Sequence, residues 1–451
     1  MVFVDVGGPA IAQYAGMTKP FHLSWFLGQS FASKNWRSMW AGSASDVKRW
    51  MMPDIFIDLA KGMERACMDY MIIEDSSNVP YTYKGNHDTY LQYAQGTPKL
   101  DPPVLVPYLA QATTHLGIVP TLSISEYPPY LAARLINSLD HVTEGRIGWN
   151  CVTGSNDGTA QNYGHEKHRP HDERYEVADE FAEVVTRLWE AWDEDAVVLD
   201  PDIPMFADGK KVHPINHEGK YFKVRGPINA PRSPQGRVPI VQAGGSPAGK
   251  KFASKWADTI ITEGSDVAKM KAYRQEVRNN AAAMGRNPDD IKLLFLCSPI
   301  VDTTMEAARE RRRLQQEDSL KHVEMQLSGM SRLTGIDFSK FDLDEKLPMT
   351  LTTNGHQSSL ARWLGKPLRE IVRGYASKGS LDYTGTPDHV AGVMAEIMQE
   401  VGGDGFLFSD TPIERRSIME ICDGLVPELQ RRGLTRKAYV HKHLKDNLKE
   451  F

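Results

Sequence analysis

Eight short apolar segments alternate with helix-forming stretches along this chain, and that alternation limits the possible folds more than any other feature. Most of the eight do not alternate polar with apolar residues, which indicates strands buried on both faces. Such strands, separated by helices, are typical of a parallel sheet. The predicted strands cover residues 21–28, 70–73, 117–125, 146–152, 238–244, 259–262, 291–301 and 405–408.

The stretches between these strands predict helices with one apolar face. Eight strand–helix units in one chain predict a (β/α)8 TIM barrel, folded as a single domain over residues 1–451. A doubly wound open sheet is the alternative, but no G-x-G-x-x-G sequence follows the first strand. The clearest predicted helices cover residues 54–68, 104–115, 128–139, 171–192 and 265–284.

Three stretches interrupt this rhythm and are predicted to be insertions. They lie near residues 76–103, 195–237 and 325–380, and the second is rich in proline and glycine with short β-like pieces that predict a hairpin. Long loops such as 76–103 and 325–380 are typical of lids that close over the mouth of a barrel during catalysis. We therefore expect the insertions to shape whatever binds there.

Composition excludes several classes of function. A formal net charge of -5 and a pI near 6.3 give no electrostatic case for binding nucleic acid or an anionic membrane. No apolar run approaches the roughly 18 residues of a membrane span, and the N-terminus lacks the pattern of a signal peptide. The four cysteines are far apart and show no metal-ligand spacing, which favours the reducing cytoplasm.

The carboxyl ends of the predicted strands carry hydroxyl, amide and small side chains. A barrel brings all eight of these ends to one rim. The set contains no nucleophile paired with a base, and it suits a polar, planar cofactor better than acid–base hydrolysis. Its members are Phe26, Glu74, Asp75, Thr121, Ser123, the segment 150–155, Gly244, Gly245 and Ser246.

The segment 244–247 reads Gly-Gly-Ser-Pro and joins a strand to a helix. Two glycines allow the backbone to approach a ligand closely, and proline suits the first turn of a helix, whose free amides bind phosphate. The alternative is a plain turn in which Ser246 is only an N-cap. Asp75 has a similar alternative as a loop cap.

A second candidate feature lies at the start of the predicted helix 171–192. His171 and Tyr175 are four residues apart, so a helix places them on one face where both can contact one ligand. The alternative is an ordinary surface helix. The spacing of His165, His168 and His171 suggests a metal, but no carboxylate or second cluster completes such a site, and we predict none.

Several longer segments together resemble a known family. They include Tyr-Pro-Pro-Tyr at 127–130, Trp-Asn-Cys-Val-Thr at 149–153, His-Asp-Glu-Arg-Tyr at 171–175, Pro-Arg-Ser-Pro-Gln-Gly at 231–236, Gln-Ala-Gly at 242–244 and Val-Pro-Glu-Leu-Gln-Arg-Arg-Gly at 426–433. The chain resembles the nitrilotriacetate monooxygenase, pristinamycin synthase and dibenzothiophene-sulfone monooxygenase family of the bacterial-luciferase-like flavin enzymes. The resemblance covers nearly the whole chain.

The resemblance implies a luciferase-like barrel that binds FMN as FMNH2, delivered by a separate NAD(P)H-dependent flavin reductase. It implies a monooxygenase that uses O2, through a flavin C4a-(hydro)peroxide, to oxidise a small organosulfur, organonitrogen or halogenated aromatic compound. It also implies a homodimer or homotetramer. The positions that match the flavin-contacting residues of the family are Asp75, Thr121, His171, Tyr175 and Ser246, with Asn150 beside them.

The substrate is not specified by these segments. The loop after Asp75 differs from the commoner forms of the family, and such loops form substrate walls. Phe26, Trp36 and His22 are candidates for that wall, and no residue is predicted to act as a general base. Two other functions stay open: an F420-dependent oxidoreductase with the same fold, and a non-catalytic flavin-binding protein.

Overall fold

Eight parallel strands close into a barrel, as the alternation of apolar segments predicts. The computed structural model describes residues 19–28, 51–377, 381–409, 411 and 413–451. Around the barrel the strand order is β1-β8-β7-β6-β5-β4-β3-β2. These strands are β1 His22–Leu27, β2 Tyr70–Ile73, β3 Gly117–Ser123, β4 Trp149–Val152, β5 Ile240–Gln242, β6 Thr259–Glu263, β7 Lys292–Cys297 and β8 Gly405–Phe408.

Helices surround the barrel and cover the outward faces of the strands. Their apolar stripes join the outward strand residues in one core, in which Trp149, Phe181 and Trp189 are fully or almost fully buried. The helix that follows β8 contains a π-helical stretch, Met419–Leu425, between Arg415–Ile418 and Val426–Arg431, and a short helix, Leu444–Asn447, lies in the C-terminal tail. The other surrounding helices are α1 Asp54–Arg65, α2 Pro102–Ala112, α3 Pro129–Val142, α4 His171–Trp189, α5 Pro247–Trp256, α6 Val267–Ala283 and α7 Pro387–Val401.

The barrel interior is packed with side chains, and the end of the chain closes its floor. Inward-facing aliphatic residues of six strands form one cluster with Leu444 and Leu448. Below them, the ring of Phe451 stacks on His22 with 4.5 Å between ring centroids. Because the floor is filled, only the opposite rim, at the carboxyl ends of the strands, is available for a ligand.

The three insertions have structure of their own. Residues 195–237 contain two small hairpins, Val197–Asp200 with Met205–Ala207 and His217–Glu218 with Lys223–Val224. The first and third insertions pack together through a separate apolar cluster that includes Tyr90, Phe338 and Trp363. Helices in or beside them are Asp88–Tyr93, Met305–Lys321, Val323–Thr334, Gln357–Trp363 and Leu368–Ser377.

The TIM-barrel prediction is confirmed, with a few boundary errors. The seventh strand was predicted to run to residue 301 but ends at Cys297, and Ile300–Val301 instead pairs with Thr384–Gly385 beside the barrel. The helix predicted over residues 54–68 ends at Arg65, with Ala66 as its C-cap. Within the described residues, no helix combines the length and apolarity that crossing a membrane requires.

Candidate functional site

Thr121 and Asn150 are neighbours at the rim, at the carboxyl ends of β3 and β4. The strand register pairs them, and Asn150 Nδ2 donates a 2.7 Å hydrogen bond to Thr121 Oγ1. Thr121 Oγ1 donates in turn to the carbonyl oxygen of Ile73 on β2, also at 2.7 Å. This chain of bonds fixes both side chains and leaves Asn150 Oδ1 buried with no partner among the described residues. A buried acceptor of this kind is ready for a donor on a ligand.

The turn from β5 to α5 has the tight geometry that its glycines predict. A Cβ atom at Gly244 would lie 2.6 Å from Gln242 Oε1 and 2.8 Å from the carbonyl oxygen of Gly249, so only glycine fits. Ser246 is the N-cap of α5, and its Oγ accepts a 3.1 Å bond from the amide of Gly249. Pro247 occupies the first turn. The positive end of this ten-residue helix therefore faces the rim.

Tyr175 reaches the same turn from α4. The ring centroids of His171 and Tyr175 are 5.2 Å apart, as their spacing of four predicts. Burial raises the pKa of the Tyr175 hydroxyl, although the nearby side chains of Ser246, Thr153 and Gln242 oppose the rise. The hydroxyl is therefore protonated and can donate a hydrogen bond. His171 Nδ1 lies 2.7 Å from Asp172 Oδ1.

Asp75 follows β2 in a partly buried group of acids. Burial raises the pKa of Asp75 to about 7; the carboxylates of Glu126 and Glu74 add to the rise, and Lys99 opposes it. Glu74 is already paired with Lys99, and Glu126 accepts a 2.7 Å bond from Ser77 Oγ. Asp75 accepts a 2.8 Å bond from the amide of Ser76, and this bond lowers the pKa of Asp75 less than burial raises it. Asp75 can thus hold a proton near neutral pH.

Arg174 connects the rim to the third insertion, and sequence reasoning did not single it out. It is 2% exposed, and it donates to the carbonyl oxygens of Gly154 at 2.6 Å and of Asn354 at 2.7 Å. Asn354 in turn donates to the carbonyl oxygen of Arg169. In the sequence, the only indication that Arg174 belongs to the site is its position between His171 and Tyr175.

Gln242 is a second residue that sequence reasoning did not include among the site residues. Its side chain is 2% exposed, and Gln242 Oε1 has no hydrogen-bond partner among the described residues. It lies close to the Tyr175 hydroxyl. A glutamine at the end of a buried strand was the signal that could have identified it, because such a residue needs a polar partner.

The three substrate-wall candidates have different outcomes. Phe26 lies near the carboxyl end of β1, partly buried against the interior cluster of the barrel. His22 lies at the opposite end of β1, where it bonds Asp69 at 2.8 Å and stacks on Phe451. A position on the floor of the barrel does not suit contact with substrate. Trp36 lies outside the described residues.

A cavity of about 870 Å³ opens beside the other half of the rim. The ends of β6, β7 and β8 form one side, and the third insertion forms the other. Its volume is sufficient for a small organic molecule. Lining residues include Glu263, Cys297, Arg362 and Ser409.

The residues present fit a flavin nucleotide. The start of α5, Ser246 and the protonated Tyr175 hydroxyl match a phosphate. Asn150 Oδ1, as an unpartnered buried acceptor, matches an N–H on the edge of a ring. Within the described residues, no group of three or more His, Cys, Asp or Glu side chains could hold a metal ion.

Comparisons with known proteins agree with this geometry. The profile of the luciferase-like monooxygenase family matches residues 37–405. A dibenzothiophene-sulfone monooxygenase of Rhodococcus erythropolis is 37% identical over 402 residues, which are 86% of this chain and 88% of that protein. Nitrilotriacetate monooxygenase component A of Aminobacter aminovorans is 34% identical over 409 residues, 87% of this chain and 89% of that protein.

A solved structure extends the likeness to nearly the whole length. The structure of a riboflavin lyase with modified FMN and its substrate riboflavin superposes with a TM-score of 0.86 at 30% identity. The match covers 96% of each chain.

Proposed function

The chain belongs to the luciferase-like monooxygenase family and is a flavin-dependent monooxygenase. We propose that it is the oxygenating component of a two-component system. It uses FMN as FMNH2, supplied by a separate NAD(P)H-dependent flavin reductase. Its relative from Aminobacter aminovorans is component A of a nitrilotriacetate monooxygenase, which supports a system of more than one component. The single structural observation that carries the choice of cofactor is the cradle that Ser246, Tyr175 and the start of α5 form together.

Each residue of the site has a proposed role toward the flavin. Ser246, His171 and Tyr175 hold the phosphate and the neighbouring hydroxyl groups, since their O–H and N–H groups can donate hydrogen bonds beside the positive end of α5. Thr121 and Asn150 orient the ring, because their own hydrogen bonds fix them at the rim. Asp75 holds a proton near the ring edge, which its raised pKa allows at neutral pH. Bound reduced flavin supplies the electrons that activate O2.

The rest of the chain excludes water and holds the substrate. The third insertion, tied to the rim by Arg174, covers the mouth of the barrel. The cavity beside β6, β7 and β8 gives a small substrate space near the cofactor, with apolar and polar walls.

We propose an organosulfur substrate first, because the dibenzothiophene-sulfone relative shares 37% identity with this chain. Organonitrogen and halogenated aromatic compounds are the other classes to test. The four unpaired cysteines support a cytoplasmic location.

Oxygen transfer tests this function directly. The purified chain, FMN, a flavin reductase and NADPH are incubated under ¹⁸O2 with a panel of sulfones, aminopolycarboxylates and halogenated aromatics. We expect one ¹⁸O atom in the product of at least one compound, and the same product when photoreduced FMN replaces the reductase. No binding of reduced FMN and no labelled product would contradict the function.

Binding measurements separate the remaining alternatives. An F420-dependent oxidoreductase would bind F420 more tightly than FMN, which fluorescence quenching measures. A non-catalytic flavin-binding protein would bind oxidised FMN tightly without consuming oxygen. Membership of a family whose named relatives are monooxygenases favours catalysis.

A further inference from the structure

The side chain of Ser409, just after β8, lines the cavity beside β6, β7 and β8. The residue is only 6% exposed. Its carbonyl oxygen accepts a bond from Ser298, but its Oγ forms no hydrogen bond with any residue that the structure describes. Because no acceptor in that part of the chain receives the hydroxyl proton of Ser409, an oxygen on a ligand can receive it.

Ser409 and Leu296 continue the interior faces of β8 and β7. Leu407, two residues before Ser409, belongs to the interior cluster of the barrel, and Leu296 packs against the same cluster. Side chains two apart on a strand share a face. The amide of Ser409 extends the strand pairing by bonding the carbonyl oxygen of Cys297 at 2.8 Å, and Ser298 Oγ donates a 2.7 Å bond to the carbonyl oxygen of Ser409. These bonds fix the backbone of Ser409 at the barrel mouth.

Ser409 lies across the mouth from the residues assigned to the flavin ring. In the closed order of eight strands, β8 is four strands away from β4 in either direction, so the two are opposite each other. Asn150 is on β4, and the proposed function places the ring over it. A molecule bound to Ser409 is therefore on the opposite side of the mouth from the ring contacts.

The charges on the cavity wall largely neutralise one another. Six basic and five acidic side chains line it. Three ion pairs join six of these side chains: Arg311 with Glu420 at 2.8 Å, Arg362 with Glu263 at 2.7 Å, and Arg312 with Asp382. Asp266 caps α6, and the others are exposed to solvent: Lys269, Lys366, Glu370 and Arg373. A wall so nearly balanced gives a polyanion little net attraction.

We propose that Ser409 is a specificity-determining residue, and that the cavity takes an uncharged molecule with an apolar body and an oxygen that accepts a hydrogen bond. Ser409 Oγ donates to that oxygen, and Leu296 packs against the apolar body. Aryl sulfones belong to this class, whereas aminopolycarboxylates do not. This inference rests on the proposed function, of which it specifies the substrate.

Equilibrium dialysis of the full chain with reduced FMN, without oxygen, tests the hydroxyl. The probes are diphenyl sulfone and diphenylmethane, which has a CH2 group in place of the sulfonyl group. Ser409→Ala should lower the ratio of sulfone affinity to diphenylmethane affinity about fivefold, because it removes one hydrogen bond that only the sulfone accepts. The matched control is Ser138→Ala, which changes an exposed serine on α3 and should keep the wild-type ratio.

Two further measurements test the apolar contact and the charge of the ligand. Leu296→Ala should weaken binding of both probes by a similar factor, because both have the rings that Leu296 contacts. The dianion 4,4′-sulfonyldibenzoate has the same frame with two carboxylates, and it should bind the wild type at least about tenfold more weakly than diphenyl sulfone, because its charges lose their hydration. Circular dichroism checks that each variant is folded.

Any of four results would overturn the inference: no binding of either probe to the wild type, a wild-type affinity ratio in Ser409→Ala, wild-type affinities in Leu296→Ala, or tighter binding of the dianion than of the sulfone. The affinity for reduced FMN, measured in the same samples, tests the proposed function separately. A chain that binds reduced FMN and gives one of these results keeps its proposed function and loses only the assignment of Ser409 and its ligand class.

Discussion

At the scale of single residues, the site depends on side chains whose hydrogen bonds are incomplete within the chain. Asn150 and Gln242 each leave a buried oxygen without a partner among the described residues, although each is at most 4% exposed. Unsatisfied buried acceptors cost about 1–3 kcal/mol each. A ligand that donates to them recovers that free energy, which supports the flavin position that we propose.

Ser246→Asp should weaken binding of reduced FMN on the order of 100-fold, because a carboxylate beside the phosphate repels it by a few kcal/mol at a partly buried site. Aspartate is a good N-cap, so α5 should stay intact. Flavin titration under anaerobic conditions measures the affinity. Thr304→Asp makes the same change at the N-cap of Met305–Lys321 and should leave affinity unchanged. Equal affinity in the two variants would place the phosphate elsewhere.

Asp75→Asn should remove part of the pH dependence of stability. The folded-state pKa of Asp75, about 7, is above its ordinary value of 3.8, so the unfolded chain loses this proton first. Stability is therefore lost as pH rises from about 4 through 7. In thermal unfolding, the melting temperature of the variant should rise relative to that of the wild type as the pH increases from 5 to 8.

The control for this titration is Asp202→Asn, which changes an exposed aspartate with no side-chain partner among the described residues. It should show the wild-type profile throughout. A constant difference between Asp75→Asn and the wild type from pH 5 to pH 8 would show that Asp75 is already ionised at pH 5.

At the scale of elements, apolar periodicity predicted the eight strands and most helices, because each strand is buried on both faces. Apolar periodicity failed to predict strands whose pairing partners are remote in sequence. Ile300–Val301 read as part of the seventh strand, but it pairs with Thr384–Gly385, more than 80 residues away. His22, a candidate for the substrate wall, is the first residue of β1 and so lies at the amino end of the strand, on the floor of the barrel. The cradle at Ser246 was predictable, since its glycines, cap and proline are contiguous.

Arg174 is a buried contact between the rim and the third insertion, so Arg174→Ala should loosen that insertion. The variant leaves the carbonyl oxygens of Gly154 and Asn354 without their donor. We expect a loss of about 2–4 kcal/mol in the free energy of unfolding and faster cleavage within residues 325–380. Urea unfolding and limited proteolysis measure the two effects.

Arg362→Ala is the matched control, because its pair with Glu263 is about half exposed and contributes little. Its proteolysis should equal that of the wild type. If Arg174→Ala is cleaved no faster than this control, the insertion is held by other contacts.

At the scale of the whole molecule, the two ends of the barrel have different tasks. The C-terminal segment fills the floor, where Arg436 pairs with Asp69 at 2.6 Å and Leu444 and Leu448 enter the interior cluster. The rim carries the polar side chains. This division was not predicted, because nothing local in a basic, helix-forming tail indicates that it closes a barrel.

Leu448→Ala should lower the free energy of unfolding by about 2–4 kcal/mol, because it leaves a cavity under the barrel. The side chain is 3% exposed. Flavin affinity should not change, since the floor is remote from the rim. Leu314→Ala, at an exposed leucine, should change stability by less than about 0.5 kcal/mol. A loss no larger than this in Leu448→Ala would mean that the tail does not support the barrel.

The position of the flavin itself tests the central claim most directly. A crystal structure of the chain grown with excess FMN and reduced without oxygen should show the phosphate at the start of α5, within hydrogen-bonding distance of Ser246 and Tyr175. The ring should lie over Thr121 and Asn150. A flavin bound elsewhere, such as in the cavity beside β7 and β8, or a rim that stays empty at saturating FMN, would contradict the claim.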